Sequence, residues 1–162
     1  MHRIAVLTLG LTAGFAAALL RRGRPRAAPS RARSTPDGPR VIVVGGGFAG
    51  LEAARTLAGH PVRVTVVDRR NHHLFQPLLY QVATAALSPG DIAAPIRHVL
   101  RDAENVEVVL GDAARIDADA RVLHLADGAR LPYDALVLAT GAAHSYLGND
   151  AWAPLAPGLK TL

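Results

Sequence analysis

Residues 40–162 predict an α/β fold built around a parallel sheet, and three observations carry that prediction. The first is the run Val41-Ile42-Val43-Val44-Gly45-Gly46-Gly47-Phe48-Ala49-Gly50, where four apolar residues lead a strand into a glycine turn and a helix over Phe48 to Ala58. The second is Val64-Thr65-Val66-Val67-Asp68, a second buried strand that ends on an acid 23 residues after Gly45. The third is Tyr133 to Gly141, an apolar strand that leaves through the small corner Ala139-Thr140-Gly141. Strand, glycine turn, helix, strand and terminal acid in register make a Rossmann-like βαβ unit.

Each part of that unit has a physical reason. Gly45 can take the tight turn, and Gly47, lacking a side chain, lets main chain approach a pyrophosphate closely. Gly50 allows the helix to pack against the first strand. With Gly46, Phe48 and Ala49 between them, the helix N-terminus aims its amides and positive dipole end at two phosphates without a basic side chain. A carboxylate at Asp68 can accept both hydroxyls of an adenosine ribose, so the expected ligand is a dinucleotide. Arg69 and Arg70 raise the alternative of a 2′-phosphate, which the acid at Asp68 disfavours. Glu52 is expected to interact with the helix dipole rather than to donate protons.

The stretch Arg69 to Val82 is longer than an ordinary βα loop, and such connections commonly cover a ligand. Within it, His72 and His73 are adjacent, so on an extended chain they face opposite ways; loop packing is expected of them, and no metal site. Asp91 is placed to cap a helix from Ile92 to about Leu100, with Pro95 tolerated near its first turn. Val106 to Leu110 reads as a third buried strand. The segments around Ala114–Asp117, Arg121–Leu125 and Arg130–Leu131, with Asp127-Gly128 as a turn signal, read as a small antiparallel meander inserted before the last parallel strand.

Charge divides the chain. Residues 1–40 hold eight arginines against the single acid Asp37, whereas the remainder holds ten basic against twelve acidic residues. The folded part is therefore mildly acidic, which argues against nucleic acid as a partner. Cysteine is absent, which excludes disulfides, thiolate metal sites and a redox dithiol. Residues 1–39 form an apolar segment, Ile4 to Leu20, followed by a basic Pro/Ala/Ser-rich linker, with a boundary at Pro36 to Gly38. A short membrane anchor, a secretory signal, a mitochondrial presequence and an extended start before a soluble enzyme compete as readings of that segment. An anchor would place the domain on the cytoplasmic side of the membrane.

Gly45 to Ala54, Asn71 to Gln81, Ser88 to Ala93 and Ala139-Thr140-Gly141 together resemble the amino-terminal part of type II NADH:quinone oxidoreductases, over nearly all of residues 40–162. The resemblance implies that the βαβ unit binds FAD. Gly45, Gly47 and Gly50 would meet the pyrophosphate, Asp68 the ribose, Ala139, Thr140 and Gly141 the flavin side, and Gln76 and Pro77 the isoalloxazine ring. Gly46, Phe48, Ala49, Arg69 and Ala113 complete the implied cofactor contacts. The implied reaction passes a hydride from NADH to the flavin and electrons onward to a membrane quinone, without proton pumping.

The same resemblance implies a longer protein. No second Gly-x-Gly-x-x-Gly follows Gly50, so the family's nicotinamide-binding domain, the return segment of its FAD domain and its quinone and membrane elements have no counterpart here. The expectation is a truncated or split product, with a complementing chain as the further partner. The runner-up readings are a non-catalytic FAD- or nucleotide-binding module, and another two-domain flavin reductase of the sulfide:quinone or ferredoxin type.

Overall fold

The structure is a computed structural model that describes residues 38–162. The segment Ile4 to Leu20 and the arginine-rich linker lie outside the described residues. Strand β1 (Arg40–Val44) runs through the glycine turn into helix α1 (Phe48–Leu57), and β2 (Arg63–Asp68) returns parallel to β1 with Val41 opposite Val64 and Val44 opposite Val67. Next come β3 (His72–Leu74), a 3-10 turn over Gln76–Leu78, α2 (Leu79–Ala83), a second 3-10 turn over Pro89–Asp91, β4 (Ala93–Pro95) and α3 (Ile96–Val99). Then β5 (Val106–Leu110) is followed by the antiparallel meander β6 (Ala113–Asp117), β7 (Val122–Leu125) and β8 (Arg130–Pro132), and by β9 (Ala135–Leu138). The central sheet has the order β5-β2-β1-β9, all parallel.

Both faces of this sheet are covered, which is why its inner strands read as continuous apolar runs rather than as alternation. On one face Val43, Val64 and Val66 pack with Leu51 and Ala54 of α1 and with Ile96 and Leu100. On the other, Ile42, Val44 and Val67 meet Leu123, Leu125 and Tyr133 from the meander and its exit. The meander thus occupies the layer where a helix would otherwise sit. Each enclosed aliphatic side chain contributes about 1.5–3 kcal/mol relative to exposure.

One buried polar residue organises the end of α1. Asn105 Nδ2 donates to the carbonyls of Leu57, His60 and Val62 at 3.0, 3.1 and 3.0 Å, adding a second donor to Leu57 O and His60 O, which also accept the His60 and Val62 amides. Its main-chain carbonyl accepts the Val64 amide at 2.9 Å, so the same residue joins the helix exit to β2.

Three expectations are corrected. No helix starts at Ile92: Ala93–Pro95 pairs antiparallel with His72–Leu74, and the helical turn begins only at Ile96. The physical signal is Pro95, which pushes the residue before it towards extended backbone. Asp91 instead closes a capping box with Ser88, whose amide donates to the Asp91 carboxylate at 2.9 Å. Strand β5 is an edge strand and only half buried, with Glu107 and Leu110 exposed. Glu52 is exposed and lies beyond the first turn of α1, where the dipole's effect has faded.

Candidate cofactor site

The parallel strands β1, β2 and β9 deliver their carboxyl ends to one side of the sheet, and the glycine turn stands there between them. Gly45 has φ +106°, a conformation that costs an L side chain dearly, and a Cβ on it would press on the Ala139 carbonyl. Its amide donates to Val67 O at 2.8 Å. A Cβ on Gly50 would overlap the Gly45 carbonyl, so the helix sits directly on the turn. At Gly47 an added Cβ would meet nothing within 4 Å. No internal packing requires glycine at that position; what lies in front of it is open cleft.

Helix α1 begins at Gly47 with no side-chain cap, so its leading amides have no intrahelical partner and face outward. Asp68, at the end of β2, accepts the Gly46 amide at 2.6 Å on one carboxylate oxygen and the Arg70 amide at 2.7 Å on the other. The Gly46 amide is therefore already engaged, and the donors free for an anion start one residue later. His73 Nδ1 lies 3.2 Å from the Gly46 carbonyl, and its ring meets Phe48 edge-on with centroids 4.8 Å apart.

These groups line a cleft of about 970 Å³, at the upper end of ordinary ligand cavities. Of the residues singled out in the sequence, Gly45, Gly46, Gly47, Phe48, Ala49, Asp68, Arg69, Gln76, Ala139, Thr140 and Gly141 line it. Ala113 lines a smaller adjoining cavity of about 200 Å³, which shares Gly45, Asp68, Arg69 and Thr140 with the first. Gly50 and Pro77 line neither: Gly50 acts beneath the turn, and Pro77 is the exposed second residue of a 3-10 turn. Gln76 Nε2 donates to Leu159 O at 3.1 Å, tying that turn to the segment that closes the cleft.

The cleft also holds Arg70 and residues that local pattern did not single out as cofactor contacts, among them His72, His73, His144 and Lys160. The last two arrive from a stretch with few elements, where spacing carries no signal. Among the described residues no cluster of His, Asp or Glu is arranged to hold a metal ion.

A family model described as pyridine nucleotide-disulphide oxidoreductase matches residues 39–158. The chain belongs to that family. Within it, the chain is 47% identical over 126 residues to the type II NADH:quinone oxidoreductase Ndh of Mycobacterium tuberculosis, a match covering 76% of this chain and 27% of the relative. The sulfide:quinone oxidoreductase of Aquifex aeolicus superposes with a TM-score of 0.62 at 29% identity, over 67% of this chain and 26% of that one. NDH2 from Plasmodium falciparum, solved in complex with NADH, gives a TM-score of 0.62 at 21% identity over 68% and 24% of the two chains, a likeness of fold. The chain thus spans about a quarter of the length of the relatives it matches. In this family setting the α/β architecture with its meander crossover is the expected one.

Proposed function

We propose that residues 38–162 form the FAD-binding part of an oxidoreductase that takes electrons from NADH to a quinone. The observation that carries the reading is the meeting of uncapped α1 amides, the open space before Gly47 and the Asp68 carboxylate at the mouth of one cleft. Those donors fit a pyrophosphate and that acceptor fits ribose hydroxyls, so the residues present suit the dinucleotide half of FAD. Bound there, the flavin would supply the hydride-accepting and electron-passing chemistry.

The chain's own residues bind and orient. Amides of Gly47, Phe48 and Ala49 would hold the phosphates, with the helix dipole adding favourable charge at no cost of a buried cation. Asp68, fixed by two main-chain donors, keeps lone pairs for ribose. Ala139, Thr140 and Gly141 present main chain and small side chains where a flat ring system would pass, and Gln76 lines the same cleft. NADH and quinone are the proposed substrates, as in the name of the Mycobacterium relative. The nicotinamide site is proposed to be built by residues other than these, on further sequence or a complementing chain. Because a quinone acceptor dissolves in the bilayer, the reading entails attachment at a membrane surface, proposed as its cytoplasmic face. Among the described residues no helix is long and apolar enough to cross a membrane, so that attachment would be peripheral or through residues 4–20.

The test is to reconstitute the chain with FAD, remove free flavin and titrate anaerobically with NADH. A retained yellow band supports the flavin site, and bleaching adds nicotinamide oxidation to it. A colourless chain overturns the reading.

A further inference from the structure

We propose that His73 is a positioning residue that keeps the glycine turn in its anion-accepting state by holding the Gly46 carbonyl. The inference rests on the flavin reading above and concerns how its phosphate site is kept electropositive. Gly46 is held at both ends: its amide donates to Asp68 at 2.6 Å, and its carbonyl lies 3.2 Å from His73 Nδ1. A carbonyl only accepts, so this contact is made with the proton on Nδ1. The ring is set by two further features. His73 lies in β3 opposite Ala94 of β4, and it packs edge-on against Phe48, which in turn meets Phe75 at 5.6 Å.

The need for such a hold follows from the sequence of the turn. The peptide between Gly46 and Gly47 is flanked by two residues without side chains, so steric resistance to its rotation is minimal. Rotation of that peptide plane would exchange the Gly47 amide for the Gly46 oxygen in front of the cleft. A donor for phosphate would become a negative dipole end opposing it. No side-chain cap stands at the start of α1 to prevent this. His73 supplies the restraint from a different element, and its ring covers the first residue of the helix at the same time.

Two variants separate the donor from the ring. His73→Phe keeps the aromatic contact with Phe48 and removes the donor; His73→Asn places an amide nitrogen close to the Nδ1 position and removes the ring. The full chain is assayed for FAD binding by quenching of flavin fluorescence, and the ligand-free protein for the Gly46 carbonyl carbon resonance through its link to the Gly47 nitrogen. In His73→Phe the FAD dissociation constant is expected to rise about tenfold, the upper range for one neutral hydrogen bond, with the Gly46 carbon moving upfield. In His73→Asn it is expected to stay within about threefold of wild type, with the resonance retained. Binding of FAD by His73→Phe as tightly as by wild type overturns the proposal, as does a folded His73→Asn that is as impaired as His73→Phe. Failure of the wild-type chain to take up FAD would overturn the flavin reading instead. In that case an unmoved Gly46 resonance in His73→Phe still removes the proposed contact, and a moved one sustains it.

Discussion

Arg40 and Asp134 hold each other by main chain and side chain together. The Arg40 amide donates to the Asp134 carboxylate at 2.7 Å, its guanidinium Nε lies 3.3 Å from the same oxygen, and the Asp134 amide donates back to Arg40 O at 2.8 Å. The pair fastens the start of β1 to the chain just before β9, across the whole meander. The donated amide, followed by the guanidinium, holds the Asp134 carboxyl below its ordinary range, and the Ala120 amide together with Arg115 does the same for Asp117 at the β6–β7 turn.

The pH dependence follows from the direction of those shifts. A carboxyl depressed in the folded state adds stability that is fully present above its unfolded value of about 3.9 and is lost as pH falls through the depressed one. Asp134 is exposed and Asp117 only half-buried, so the effect is modest. Asp134→Asn and Asp117→Asn should each flatten the fall in urea midpoint between pH 5 and pH 3. Variants as acid-sensitive as the parent would contradict this.

Gly50 and Gly47 make opposite predictions despite sharing one motif. Gly50→Ala drives a Cβ into the Gly45 carbonyl, and is expected to destabilise the fold by about 3 kcal/mol in urea unfolding. Gly47→Ala meets no atom of the chain and should cost under about 1 kcal/mol, while its methyl enters the cleft and expels flavin. A Gly47→Ala protein that retains FAD like the parent would remove the phosphate from that position.

Asp68→Asn leaves one oxygen for two main-chain donors, so either Gly46 or Arg70 faces an NH2 group. A loss of about 1–3 kcal/mol in stability is expected. FAD affinity should fall at least about tenfold, because a ribose hydroxyl loses its charged acceptor. Equilibrium unfolding and fluorescence quenching read the two effects separately.

Asn105→Ala removes the donor shared by Leu57, His60 and Val62 and leaves these part-buried carbonyls without it. Destabilisation of about 3 kcal/mol is expected from denaturant melts. Asn105→Asp should be worse at neutral pH, since a carboxylate offers those oxygens no proton and brings a buried charge. Tolerance of Asn105→Asp would refute this account of the helix exit.

What was legible in the sequence was what is local. Gly45, Gly50 and Asp68 lie within one βαβ unit, where spacing along the chain dictates position in space, and the meander announced itself through alternation and Asp127-Gly128. The pairing of β3 with β4 is hidden in the sequence because Pro95 is tolerated in a first helical turn, although its stronger influence falls on Ala94. The sequence reads His73 as loop packing, whereas it sits in β3 and packs its ring on Phe48 of α1. Its contact with the Gly46 carbonyl spans 27 residues, so no periodicity could reveal it. His144 and Lys160 reach the cleft by tertiary placement alone. Gly46 was legible as part of the motif but not in its role, because the partner of its amide is set by the fold.

The β1–β9 pairing also constrains how the protein is made. Strand β1 can take β2 as a neighbour soon after translation reaches it, but its other edge waits for residues 135–138, which Val41 to Val44 pair with across the entire insertion. At ribosomal speeds of about 5–20 residues per second, some 94 residues of separation leave that apolar edge bare for roughly five to twenty seconds. The nascent chain is then a candidate client for chaperones that recognise short aliphatic stretches, with Val41-Ile42-Val43-Val44 as the segment they would shield.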